Sequence, residues 1–244
     1  MSFVMLFDEM GGILNELVSI LIKLSERYPL RDNFDWELPE YCPLGFPDSI
    51  ASQFDKNIYL KHNLSPLLGA NNLDNRYWVI RDWGGIRSLK KSDKNDALLT
   101  KLDDELQKGM LTRPIFSVIS SFSKVASFIN HNNYAIYDSR VIYSLNWLLF
   151  KHTNTTQFYP QPLGRNAELA KIELNTIFHL SDRDFTYVSH KTAYHEYCSL
   201  LKKLSLAVYG QNEPYWVEML LFSIAPSFIL DDIKSSLSLS IRRA

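Results

Sequence analysis

The stretch IFSVISSFSKVASFINHNNYAIYDSRVIYSLNWLL, from Ile115 to Leu149, decides how the whole chain is read. Pro114, just ahead of it, suits the first turn of a helix, because proline lacks an amide that the first turn would leave unpaired anyway. The pattern predicts a helix from there to Asn130, then a turn at His131-Asn132-Asn133. Tyr134-Ala135-Ile136-Tyr137 reads as a short extended connector. Asp138 opens a second helix to about Lys151, with Val141, Leu145 and Leu148 on its inner face. Antiparallel packing of the two helices could bring Lys124, on the first, near Asp138, at the head of the second.

The flanking sequence extends the same pattern. Leu14, Leu17, Val18, Leu21 and Leu24 recur at three- and four-residue steps and predict an amphipathic helix ended by Pro29. A loop rich in proline and aromatics fills 31–47, and 48–60 reads as a short helix. Asn95 to Lys108 is helical and stops at Gly109, a C-cap signal. Three further helices are expected at about 166–179, 189–209 and 214–236, the last kinked or split at Pro226. Residues 77–87 fit either a short strand or a helix entering the Gly84-Gly85 turn. The expectation is a mainly α, multi-helix fold with little or no sheet. It forms a single domain over 1–244, with room for two helical lobes, about 1–110 and 111–244, around a cleft.

Composition excludes several function classes. The 244 residues are 46% hydrophobic and 22% charged, ordinary values for a globular chain. A net charge of −1 argues against coating nucleic acid through bulk positive charge. The two cysteines, Cys42 and Cys198, cannot build a disulfide scaffold, a four-thiolate zinc site or an iron–sulfur cluster. No apolar run approaches the roughly 20 residues of a membrane helix, and the N-terminus lacks the basic start of a signal peptide. A cytoplasmic protein with no membrane partner is expected. No Gly-x-Gly-x-x-Gly, P-loop or Gly-x-Ser-x-Gly motif is present, so no cofactor is expected. His195 and Cys198, three apart, would make half a metal site with no second pair in view, so no metal is expected.

The chemistry that remains is carried by Lys124 and Asp138. A carboxylate at a helix N-terminus is held as an anion by unpaired backbone amides, a suitable charge beside a developing oxocarbenium ion. A lysine whose pKa falls on burial is an amine nucleophile toward a sugar carbon. The plain alternative is that Asp138 is only an N-cap and Lys124 a solvated side chain on an amphipathic helix.

Ser123-Lys124-Val125-Ala126 and Ile136-Tyr137-Asp138-Ser139-Arg140-Val141 resemble the catalytic segment of the helix-hairpin-helix DNA glycosylase superfamily, the group of endonuclease III and the oxoguanine DNA glycosylases. Trp83-Gly84-Gly85-Ile86 and Glu218-Met219-Leu220-Leu221-Phe222 are similar to bacterial proteins with an oxoguanine-glycosylase-like fold. The resemblance implies Lys124 as the Schiff-base nucleophile, Asp138 as the electrostatic stabiliser, and duplex DNA with a damaged or modified base as partner. It covers about 35 residues, and three features depart from it: the chain has no cysteine cluster, which excludes the endonuclease III subtype, and two more lie in the segment itself. The family's glycine-rich hairpin is replaced by Ile119-Ser120-Ser121-Phe122-Ser123, and the Lys-to-Asp spacing of fourteen residues is shorter than the family's.

Residues 76–94 offer a DNA face. They carry six basic against two acidic side chains, interleaved with Trp78 and Trp83. Trp83, Arg87, Lys90 and Lys91 are the candidates there, joined by Arg140 and by Arg165 in the loop Gln161 to Asn166. The alternative is a surface loop whose tryptophans pack into the core. Two other readings of the chain stay open. One is a non-catalytic DNA- or protein-binding module of the same fold, and the other is an unrelated helical protein.

Overall fold

The computed structural model of the protein describes residues 3–164 and 166–238, with side chains from Gly12 onward. Its first helix, α1 (Phe3–Arg27), buries Leu17, Leu21 and Leu24 along one stripe and stops ahead of Pro29. A single turn, α2 (Leu30–Asn33), leads into an extended loop, and α3 (Gln53–Asn63) begins where Ser52 accepts the Asp55 amide. This start lies five residues later than the sequence pattern suggests. α4 (Leu73–Trp78) runs on into a π-helical turn, Val79–Trp83, so of the two readings of 77–87 the helix entering the Gly84-Gly85 turn is the one found, helical over 77–83. The widened turn lets the Gly84 amide reach Val79 O at 2.9 Å. Gly85 reverses the chain at φ 66°, a left-handed conformation that glycine adopts without a Cβ penalty. α5 (Asp93–Lys108) is capped by Ser92 and ended by Gly109 at φ 71°.

The helix expected from Pro114 to Asn130 is two helices, α6 (Arg113–Phe116) and α7 (Ile119–Ile129). Ser117 and Val118 break it: Ser117 Oγ turns back to Pro114 O at 2.7 Å, and the Val118 amide makes a tight bond to Ile115 O. α8 (Ser139–His152) follows, with Asp138 as its cap. α7 and α8 are buried on nearly all sides, as befits the centre of a helical core. Their polar side chains are satisfied from neighbouring elements: Ser144 Oγ donates to Leu221 O at 2.8 Å, and Asn146 takes both the amide and the carbonyl of Tyr159.

The 166–179 segment divides into α9 (Ala167–Ala170) and α10 (Leu174–Leu180). β1 (Gln157–Phe158) and β2 (Thr186–Tyr187) pair in parallel, the one sheet among the described residues. α11 (Ala193–Tyr209) ends at Gly210, and α12 (Tyr215–Ile224) passes through a π turn at Ala225–Ile229 into α13 (Leu230–Ser236). Pro226 has no amide to donate and its ring crowds the preceding turn; the π turn is how the helix absorbs it. The fold is mainly α. No described helix is long and apolar enough to cross a membrane.

Candidate active site

The connector between α7 and α8 has no strand partner, so side chains satisfy its backbone. The Tyr137 amide donates to Ser123 Oγ at 2.9 Å and the Ile136 amide to Glu218 Oε2 at 3.3 Å. Tyr194 and Tyr197 on α11 donate to the carbonyls of Ala135 and Ile136 at 3.0 and 2.6 Å. These bonds come from α7, α11 and α12 and fix the chain just ahead of Asp138. Asp138 Oδ1 then accepts the Arg140 amide at 2.9 Å, the N-cap geometry that holds a carboxylate in place.

Asp138 Oδ2 lies 3.8 Å from Lys124 Nζ. The Lys124 side chain is only 6% exposed and donates to Ser120 O at 2.8 Å. Its alkyl chain runs over Gly84, where an added Cβ would stand 2.5 Å from Lys124 Cδ. Gly84 is therefore a required void, while its neighbour Gly85 is a required conformation.

Both groups line a cavity of about 380 Å³, at the small end of the range that holds small-molecule ligands. Its wall is aromatic. Trp36 packs edge-on to Phe222 at 5.6 Å and tilts against Trp83 at 6.0 Å. Hydrogen bonds lock this wall: Trp36 Nε1 donates to Trp83 O, Trp83 Nε1 to Asn57 Oδ1, and Asn57 Nδ2 to Trp36 O, at 2.9, 2.9 and 2.7 Å. The Arg140 guanidinium lies 4.8 Å over the Phe222 ring. Fully exposed Leu163 lines the cavity, next to Gly164, which packs against Ser139.

Glu218, on α12, is the second carboxylate in this cavity. Its Oε2 lies 3.7 Å from Lys61 Nζ, both side chains being almost wholly buried. Burial pushes the Glu218 carboxyl above the usual carboxylate range, opposed by the Lys61 charge. Burial likewise lowers Lys61, opposed by Glu218. The site thus holds two lysines and two carboxylates on four elements.

No known protein family, curated protein or solved structure matches the chain.

The residues singled out from sequence fall into two groups. Lys124, Asp138, Trp83 and Arg140 come together around the cavity. Arg87, Lys90 and Lys91 are exposed on the segment that follows its Gly84–Ile86 edge, and Lys91 pairs with Asp74 at 2.7 Å. Arg165 lies outside the described residues. Trp83 is a buried wall residue with its indole N–H occupied, and Trp78 is buried with its own donated to Tyr41 O. Arg76, the first cation of the basic stretch, is fully buried and spends its guanidinium on Leu68 O, Leu99 O and Asp103. Ile119–Ser123, the counterpart of the glycine hairpin, is the opening of α7, with Ile119, Ser121, Phe122 and Ser123 buried. His195 and Cys198 bring no further ligand with them, and no group of three metal-ligating side chains occurs among the described residues.

Sequence reasoning assigned no role to Glu218, Lys61, Trp36 or Phe222. The signal for the first two was a charged residue at an otherwise apolar helix position, with Glu218 inside Tyr215-Trp216-Val217-Glu218-Met219-Leu220-Leu221. A buried ionisable side chain in such a run needs a partner.

Proposed function

We propose that the protein is a DNA glycosylase-like enzyme that receives an everted base in the aromatic cavity and acts on its sugar through Lys124 and Asp138. One observation carries the reading: an amine and a carboxylate lie 3.8 Å apart on adjoining secondary elements and line one aromatic-walled cavity. Everting a base costs a few kcal/mol, and stacking on aromatic faces contributes about 1–3 kcal/mol per base toward it. The Lys124 amine attacks C1′ as the glycosidic bond breaks and the base leaves with the bonding pair. The Asp138 carboxylate stabilises positive charge on the sugar. Expulsion of the ring oxygen then yields a Schiff base on Lys124, from which elimination can cut the strand. The exposed Arg87 and Lys90 supply cations to flanking phosphates, with Arg140 nearer the cavity.

A second reading, a non-catalytic module that binds DNA or protein, is favoured by the helical, glycine-free Ile119–Ser123 segment. That segment lacks the open loop of amides that would grip a phosphate.

The test is borohydride trapping on a duplex with one abasic site, with Lys124→Ala beside the wild type. A covalent adduct that requires Lys124 is expected. No adduct, together with duplex binding that weakens steeply as salt rises, would favour the binding module. Indifference to DNA at every salt concentration would remove both DNA readings.

A further inference from the structure

The charges that face the cavity do not cancel. Lys124 Nζ lies 3.8 Å from Asp138 Oδ2, and Lys61 Nζ lies 3.7 Å from Glu218 Oε2, so each carboxylate has a lysine of its own. Arg140 is the remaining charged side chain described on the cavity wall. Its guanidinium lies 4.8 Å over the Phe222 ring and makes no hydrogen bond or ion pair with another described residue. The ring contact holds the planar fork in place without using its N–H donors. Beside it, Ser139 is only 9% exposed, and its hydroxyl likewise has no hydrogen-bond partner among the described residues. Gly164 leaves that hydroxyl room, since a Cβ there would stand 2.7 Å from Ser139 Oγ. A buried hydroxyl and a guanidinium on one cavity wall, both without a partner in the described chain, call for an acceptor from outside it.

We propose that the cavity also takes a small free carbonyl compound bearing an anionic group, with its carbonyl carbon at Lys124 and its carboxylate or phosphate at Arg140 and Ser139. The proposal rests on reading Lys124 as a Schiff-base-forming amine, shares only that with the glycosylase reading, and needs no DNA. The step balances. The Lys124 ammonium gives one proton to solvent. The amine nitrogen bonds to the carbonyl carbon while the π pair moves to oxygen. That oxygen takes the proton shed by the nitrogen, giving a neutral carbinolamine. Solvent returns a proton to the hydroxyl, water leaves with the C–O pair, and an iminium on Lys124 remains. The net change is ammonium and aldehyde to iminium and water, so a positive charge faces Asp138 both before and after.

The surroundings suit such a ligand. A cavity of about 380 Å³ has room for one planar ring with two substituents, and Trp36, Trp83 and Phe222 supply an apolar wall for it. The hydrogen bonds among Trp36, Trp83 and Asn57 keep that wall formed without a ligand. A bound anion would neutralise Arg140, the cavity charge that no described residue balances. An arginine fork meets a carboxylate or phosphate through two parallel N–H···O bonds. A polyanion has less to hold it: Ile119–Ser123 opens α7 as helix rather than as a loop of open amides, and the net charge of −1 gives no general attraction.

The test treats the whole protein with 4-carboxybenzaldehyde or its neutral methyl ester, methyl 4-formylbenzoate. Imines are reduced with cyanoborohydride, and the alkylated lysines are mapped by peptide mass. The two reagents present the same reacting group and differ by one charge. The ester is the more electrophilic, so intrinsic reactivity works against the expected result. Lys124 should saturate with the acid at a concentration lower by about tenfold or more than with the ester, the worth of a charge-assisted hydrogen bond. Exposed Lys90 should show neither preference nor saturation. Arg140→Gln should abolish the preference at Lys124. Arg140→Lys, which keeps the charge and loses the fork, should retain part of it, and Ser139→Ala should reduce it by a smaller factor. A disturbed fold would lower both reagents together and leave their ratio, so loss of the ratio reports the charge itself. Equal responses of wild-type Lys124 to acid and ester would overturn the proposal, as would a preference that survives Arg140→Gln. The abasic duplex separates the two readings. A preference as expected with no duplex adduct overturns the DNA reading alone. A duplex adduct on Lys124 with no preference for the acid overturns the small-carbonyl site alone, and a Lys124 that none of the three reagents alkylates overturns both.

Discussion

Lys124 Nζ and Asp138 Oδ2 stand 3.8 Å apart although they sit at different helices, the amine being held by Ser120 O and by the space over Gly84. The carboxylate is placed by the connector, whose amides and carbonyls are gripped by Ser123, Glu218, Tyr194 and Tyr197. Asp138 therefore has two separable duties, as a cap and as a charge. Asparagine caps a helix about as well as aspartate, so Asp138→Asn keeps the first duty, whereas Asp138→Ala loses the cap at a cost of about 1 kcal/mol. Urea denaturation should find the asparagine variant the more stable of the two. Borohydride trapping on an abasic duplex should fall at least tenfold in both, because both lack the carboxylate.

Gly84 makes a steric prediction that is free of backbone strain, since its φ of −82° is open to any residue. An alanine Cβ there would lie 2.5 Å from Lys124 Cδ and 2.8 Å from Ile80 O. The lysine can swing away but the carbonyl cannot without moving the π turn. Overpacking of this kind costs about 1–3 kcal/mol. Gly84→Ala should lower the thermal midpoint and displace the amine, so that trapping drops more steeply than the stability loss explains. Trapping at the wild-type rate in a folded Gly84→Ala protein would mean that the amine reacts from a position other than the one over Gly84.

How much of this was legible from sequence depends on the kind of interaction. Asp138 as the start of α8, Gly109 as the end of α5 and the Leu17-Leu21-Leu24 stripe are local signals, and each is found where the pattern put it. The break at Ser117–Val118 was missed because 114–130 is helical by propensity throughout, and only a serine turning back on Pro114 O interrupts it. The basic look of 76–94 misled at Arg76, since its partners Leu99 and Asp103 lie on a different helix. Trp36 and Phe222 are separated by most of the chain, so their contact is a property of the packed state alone.

The Lys61–Glu218 pair lends itself to a double-mutant cycle. Either single change, Lys61→Met or Glu218→Leu, strands one buried charge and should destabilise by about 3–5 kcal/mol. The double change removes both charges and should lie within about 1–2 kcal/mol of wild type, because well-packed apolar replacements of a buried pair are often neutral. Chemical denaturation of the four proteins measures the coupling. Additive single losses would show that the two side chains, 3.7 Å apart, do not compensate each other.

The histidines predict the direction of acid sensitivity. His131 packs at a tilt against His62 with ring centroids 4.2 Å apart. Burial, then the His62 charge, lowers its pKa from the ordinary value. Burial lowers His152 and His195 as well. A histidine with a depressed pKa in the fold binds fewer protons there than in the unfolded chain, whose pKa is about 6.5. The stability it contributes is therefore full above that value and is lost as the pH falls through it toward the folded pKa. Glu218 acts in the opposite sense: its raised carboxyl favours the fold most when protonated, so its contribution declines as the pH rises above about 4.3. The histidine contribution to the urea midpoint should consequently drop between pH 7.5 and 5.5. His131→Phe keeps a ring against His62 and Tyr215 and cannot take a proton, so its midpoint should fall less over that interval. A variant with the full wild-type slope would place the acid sensitivity in His152 and His195 instead.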